Sequence, residues 1–143
     1  MSPRLYTIAV LTDEDDVLLL QRNATQTFGA NLYSLVGGKV NQGETALQAV
    51  QREVIEAVDL DIPQSEFTLM HVLHRQGTET EFIALFFHAD ISELEPQNKK
   101  QDTYQEIKFY DVQELPDNMI PAHKQALDSI VKSIIYSEHG WKK

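Results

Sequence analysis

The chain has no cysteine. That excludes disulfides, thiolate metal sites and a cysteine nucleophile, and it fits a reducing compartment. It also lacks any apolar run approaching the roughly 18 to 20 residues of a membrane-spanning helix. Its longest apolar runs, Val17 to Leu20 and Ile83 to Phe87, are strand-sized. The opening Met1-Ser2-Pro3-Arg4 has neither the apolar core nor the small-residue cleavage site of a secretory signal. A cytoplasmic protein without a membrane partner is therefore expected. Basic residues are scarce: 12 Lys+Arg stand against 22 Asp+Glu, a net charge of −10. Such a surface repels long polyanions, which excludes broad nucleic-acid binding. A small phosphate ligand stays open, because a divalent cation reverses the local field at one site. Repeats, low-complexity segments and linker-like stretches are missing too, so residues 1–143 are expected to form one domain.

What is present is an irregular mixture of strand and helix signals. Leu5 to Leu11 and Val17 to Gln21 read as strands around an acidic turn at Asp13 to Asp16. Tyr33 to Val36 is a short strand ending in Gly37-Gly38. Phe67 to His74, Phe82 to Ala89 and Ile107 to Val112 are further strands, with polar connections at Arg75 to Glu81 and Glu93 to Gln105. Thr45 to Val58 is the clearest helix. Thr45 and Gln48 have capping-box spacing, and Leu47, Val50, Val54 and Val58 form one apolar stripe. Asp59 ends that pattern and Pro63 bars its continuation. A second helix is expected from Ala122 to about Tyr136, burying Ala126, Leu127, Ile130, Val131, Ile134 and Ile135. Without regular βαβ alternation, these elements predict an α+β fold with a mixed sheet.

The chemistry is concentrated between Gly38 and Leu60. Glu53 and Glu56 lie three apart on one helix face, away from the apolar stripe. Two adjacent carboxylates repel unless a positive charge lies between them. A hard divalent cation such as Mg²⁺ takes oxygen ligands and keeps waters for exchange. Gly37 and Gly38 allow a backbone carbonyl to approach such an ion. Two glutamates alone are more often an ordinary solvated helix face.

The longer spacing separates these readings. Gly38, five residues, Glu44, seven residues, then Arg52-Glu53-Val54-Ile55-Glu56 and later Leu60 resemble the signature box of the Nudix hydrolases. The flanks are similar as well, in Val17 to Arg22 and in Glu106 to Pro116. The resemblance implies a Nudix fold, a mixed sheet sandwiched between helices (α/β/α), with the box as loop–helix–loop. It implies hydrolysis of a diphosphate bond in a nucleoside tri- or diphosphate or a related derivative, by water activated on Mg²⁺ or Mn²⁺. By position Glu53, Glu56 and the Gly38 carbonyl are the implied metal ligands, and one box carboxylate assists deprotonation of water. Arg52 is implied to hold the carboxylates in place, and Glu44 to support the loop. The small size suits a MutT-like pyrophosphatase, acting on a small-molecule nucleotide and free to form a homodimer.

Two positions depart from the box. Ala57 stands where the family has a second Glu of its pair, and Asp59 where it has Gly. By spacing, position 57 is expected to border the carboxylate face, so one cation ligand is lost. A rate loss of about 10² or more follows if electrostatic positioning dominates. Asp59 is milder, since Asp tolerates the left-handed conformation at about 1 kcal/mol or less. Asp90, Asp102 and Glu106 are candidate compensating carboxylates, each equally readable as a solvated loop residue. Arg22, Lys39, Phe109 and Asn118 are candidate substrate contacts, with surface pairing, core packing and turn formation as the plainer alternatives. His71 and His74 are three apart on a strand, face opposite sides and are no metal pair. Ala57 also leaves open a non-catalytic nucleotide-binding or protein-docking module on the same fold. A diphosphate isomerase is less favoured, since the cysteine such enzymes often use is missing.

Overall fold

The computed structural model describes residues 2–142. Its spine is β1 (Arg4–Asp13), which turns through Asp13↔Asp16 into β2 (Asp16–Arg22). The short β3 (Tyr33–Ser34) pairs with β2, and β4 (Val36–Lys39) pairs with β1. The expected single strand at Tyr33 to Val36 is thus two, because the chain changes partner at Leu35. Helix α1 (Ala46–Val58) follows, then a short 3₁₀ turn at Gln64–Glu66, β5 (Thr68–Gln76) and β6 (Glu81–Asp90). The last elements are β7 (Tyr104–Asp111), α2 (Pro121–Val131) and β8 (Tyr136–His139).

One mixed sheet results, in the order β3-β2-β1-β6-β5-β8, with β4 also on β1 and β7 also on β2. β1 and β6 run parallel from Arg4↔Phe82 to Thr12↔Asp90. Alternation along β1 splits the core. Ala9 and Leu11 face α1 together with Val50, Val54 and Val58. Ile8 and Val10 face α2 together with Ala126 and Leu127. The sheet is therefore covered by one helix on each side, the α/β/α arrangement expected. Among the described residues no helix is long and apolar enough to cross a membrane.

The second helix is shorter than its apolar pattern. It stops at Val131; Ser133 takes a left-handed φ of 59°, and the chain re-enters the sheet as β8, parallel to β5. Ile134 and Ile135 are β-branched and suit a strand better than a helix end. His71, buried on β5, pins this segment: its Nδ1–H donates to Ile134 O at 2.7 Å, and Nε2 meets the Ser137 hydroxyl at 2.7 Å. Val131, Ile134 and Ile135, expected inside, are exposed.

The sheet also forks. Both β2 and β4 lie against β1, β2 at Thr12 and Asp13 and β4 at Tyr6 to Ala9. A cavity lined in part by Gly37 and Gly38 lies here, next to the candidate site.

Candidate active site

The loop after β4 is fixed by short-range hydrogen bonds before any ligand is considered. The Asn41 N–H donates to Glu44 Oε1 at 2.8 Å. Thr45 caps α1 through a complete capping box, Gln48 N–H to Thr45 Oγ1 at 3.1 Å and Thr45 N–H to Gln48 Oε1 at 2.8 Å. Arg52 binds the loop to the helix. Its Nε and Nη2 donate to the two Glu44 oxygens at 3.1 and 2.8 Å, a bidentate fork. Nη1 donates to Glu53 Oε1 at 2.8 Å and to Glu56 Oε2 at 3.1 Å, and Nη2 also reaches Lys39 O at 3.1 Å. One guanidinium thus serves three carboxylates. Beside it the Glu44 carboxyl is held below its usual range, chiefly by the Arg52 hydrogen bonds, and the Arg52 pKa is raised further, chiefly by Glu44.

The two helix carboxylates differ in setting. Glu53 is buried, at 9% exposure, whereas Glu56 is open to solvent. Gly38 makes room for Glu53: a Cβ there would overlap the Glu53 carboxylate. Gly37 is equally confined, against Ile8 and the Thr7 carbonyl. These oxygens suit a hard cation. Glu53 and Glu56 share one helix face, Arg52 engages one oxygen of each, and the cradle at Gly38 exists only without a side chain. The donor set is small, however. Among the described residues no three His, Cys, Asp or Glu side chains form a metal-binding group.

Position 57 requires a correction. Ala57 does lie one turn after Glu53, but it does not border an open carboxylate face. It is 3% exposed, packed in the α1-side core with Val54, Val58 and Leu60. Its carbonyl accepts the Lys99 N–H at 3.0 Å, so the segment before β7 covers this turn. Asp59 adopts the left-handed conformation, φ 61° and ψ 36°, and its N–H donates to Ile55 O.

None of the candidate compensating carboxylates joins Glu53 and Glu56 in such a group. Asp90 is engaged by Ser92, accepting its N–H at 2.9 Å and its hydroxyl at 2.7 Å, which hold the Asp90 pKa down. Asp102 sits in an exposed turn. Glu106 accepts the Tyr33 hydroxyl at 2.6 Å. The substrate candidates separate likewise. Lys39 is exposed, and its side chain has no hydrogen-bond partner among the described residues. Phe109 packs against the α1-side core. Asn118 Nδ2 donates to Asn31 O at 3.0 Å, and its carbonyl accepts the Tyr33 N–H, so it serves a loop junction. Only Arg22 lines the large cavity.

That cavity, about 850 Å³, occupies the fork on the α2 side. Gly37, Gly38, Arg22, Arg75, Tyr104 and His123 are among its lining residues. The Arg22 Nε donates to Phe28 O at 2.8 Å and its guanidinium lies 5.8 Å from the Phe28 ring centroid. His123 Nδ1 accepts the Leu35 N–H at 3.0 Å. The neutral ring therefore carries its proton on Nε2. Burial first, then Arg75 and Arg22, push its pKa down to about 3. Tyr104 is shifted up chiefly by burial, with Arg22 acting downward and Glu53 upward.

Sequence reasoning missed Arg75, Tyr104 and His123. Arg75 was legible in part: it stands two residues after buried Leu73, an inward position of β5. Reading Arg75 as the start of a polar loop hid that alternation. Tyr104 and His123 carry no comparable signal.

A sequence model of the NUDIX domain matches residues 2–130. The chain belongs to the Nudix family. Similar to it is the 8-oxo-dGTP diphosphatase of Escherichia coli, 30% identical over 93 residues, 65% of this chain and 70% of that protein. The Nudix fold is shared with the MutT NUDIX hydrolase of Burkholderia pseudomallei, at a TM-score of 0.80 and 24% identity over 90% of this chain and 98% of that one. It is shared too with the NUDIX domain of Shewanella oneidensis NrtR, complexed there with ADP ribose, at a TM-score of 0.73 and 21% identity, covering 92% and 88%. The chain is thus a Nudix-type pyrophosphohydrolase.

Proposed function

We propose that this Nudix enzyme hydrolyses a diphosphate bond in a nucleoside tri- or diphosphate or related nucleoside-diphosphate derivative, with Mg²⁺ or Mn²⁺ as cofactor. The observation that carries the reading is the Arg52 network, which ties together the buried Glu53 carboxylate beside Gly38 and the open Glu56 carboxylate, next to a nucleoside-sized cavity. Glu53, Glu56 and the Gly38 carbonyl would hold the cation, which supplies charge neutralisation and an acidified water when bound. Arg52 is a positioning residue: it fixes one oxygen of each carboxylate, and Glu44 fixes Arg52. Water forms the new P–O bond, the bridging P–O bond breaks, and the proton of the attacking water passes to a box carboxylate. The nucleoside lies in the cavity, with Arg22 toward its phosphates.

Ala57 is the specific observation for a second reading, a nucleotide-binding module with little turnover. The experiment is phosphate or diphosphate release from a panel including 8-oxo-dGTP and ADP-ribose, with each metal, for this chain and Ala57→Glu. Turnover by this chain supports the hydrolase. Turnover only after substitution means a hydrolase weakened by a lost carboxylate. Turnover by neither overturns the reading in favour of the module.

A further inference from the structure

Arg75 stands out in the cavity as a cation without a counterion. Among the described residues it forms no salt bridge and no side-chain hydrogen bond. Its neighbours are aromatic: the Phe28 ring centroid at 5.8 Å and the Phe82 centroid at 5.7 Å. It is half-buried, and burial lowers its pKa. In a chain of net charge −10, carboxylates are plentiful, yet none among the described residues pairs with this guanidinium. Arg22 differs, because two of its nitrogens are already engaged by Phe28 O and Gln26. Arg75 keeps all five N–H donors available, in the planar fork that matches a phosphate.

Its place in the sheet sets what it can reach. Gly38, Thr7, Leu85 and Val72 form one row across β4, β1, β6 and β5. Three strand steps span roughly 14 Å, and Arg75 lies three residues, roughly 10 Å, further along β5. Arg75 is therefore too far from the box to share the hydrolysed diphosphate. A nucleoside can bridge the gap once the arginine side chain's own reach is subtracted.

We propose that Arg75 binds a second phosphate group of the substrate, one separated from the hydrolysed diphosphate by the nucleoside. The preferred substrates are then nucleotides with an additional phosphate on the sugar. This rests on the cavity being the nucleoside site, as in the proposed function.

Binding in EDTA tests it without turnover, so failure here is separable from failure of the hydrolysis panel. Calorimetric affinities for adenosine 5′-monophosphate and adenosine 2′,5′-bisphosphate are compared in the unaltered chain, Arg75→Gln and Arg75→Lys. The bisphosphate is expected to bind about tenfold more tightly than the monophosphate to the unaltered chain, the scale of one charge-assisted bidentate contact. Arg75→Gln should remove that preference while leaving monophosphate affinity within about twofold, and Arg75→Lys should keep part of it. An unaltered ratio in both variants, no preference in the unaltered chain, or no binding of either ligand overturns the proposal.

Discussion

The two ends of the site treat charge in opposite ways. At the box end three carboxylates converge on one arginine, and Arg52 spends its donors on Glu44, Glu53, Glu56 and the Lys39 carbonyl. At the cavity end Arg75 has no carboxylate partner among the described residues, and Arg22 has only a carbonyl and an amide. The box geometry is therefore fixed within the protein, before a ligand arrives. The cavity's positive charge would be balanced by a bound phosphate, as proposed above. In the proposed function, preorganisation belongs to the part that would do the chemistry, and unfilled hydrogen-bonding capacity to the part that would recognise the substrate.

The largest effect expected is at the buried carboxylate. Glu53→Gln should lower kcat by about 10²- to 10³-fold in a Mg²⁺ or Mn²⁺ assay, the range seen when one preorganised electrostatic group is removed. Gly38→Ala should approach that loss without touching a charged group, because its Cβ displaces Glu53; a misplacement of about 1 Å can cost about 10²-fold. Equal activity in Gly38→Ala and the unaltered chain would break the claim that the box depends on this close packing.

Ala57→Glu sharpens the contrast within the box end. The side chain would enter a site now 3% exposed, between Val54 and the covering segment at Lys99. A buried polar group without partners costs about 1–3 kcal/mol. The metal-free variant should therefore melt below the unaltered chain in calorimetry. Saturating Mn²⁺ should restore most of the difference if the new carboxylate becomes a ligand, since binding to the folded state alone stabilises it. A Tm that metal does not move would show that position 57 is only a packing site.

Legibility followed local chemistry. The box was readable because its parts are close in sequence: the capping box, the apolar stripe and the Arg52-Glu53 pair all fall within one loop and one helix. Fold class was readable for a similar reason, since strand alternation and helix spacing are local patterns. What escaped depended on distant partners. Ile134 and Ile135 continue the apolar spacing of α2, and only pairing with β5 and the His71 tie turn them into a strand lead-in. Ala57 lies on the expected turn of α1, but it packs into the core, and its carbonyl is taken by the N–H of Lys99, far along the chain. The Leu35 to His123 hydrogen bond spans 88 residues and leaves no mark in either neighbourhood.

At the cavity end His123 offers a pH test. Its pKa is about 3 in the fold, against an ordinary 6.5. The unfolded chain therefore binds the additional proton between these values, and stability contributed by the neutral ring is lost as pH falls through that window. His123→Gln keeps an acceptor for the Leu35 N–H without titrating. Its Tm should fall less steeply than that of the unaltered chain from about pH 6.5 down to about pH 3. The Glu44 carboxyl, also held low, weakens both proteins alike as the solution is acidified. Parallel Tm curves would remove His123 as a group the cavity keeps neutral.

The smallest effect tests whether the box geometry depends on how its helix ends. Asp59 closes α1 at φ 61°, where a side chain is mildly strained. Asp59→Gly relieves that strain but enlarges the freedom of the unfolded chain, and the two act against each other. The expected net gain is therefore below about 1 kcal/mol. Glu53 and Glu56 are held by Arg52, which is anchored on Glu44 before the other end of the helix, so kcat and the metal concentration for half-activity should stay unchanged. If Asp59→Gly altered either kinetic value by more than about twofold, the helix end would be part of the preorganised region. The boundary between the two ends of the site would then have to be redrawn to include it.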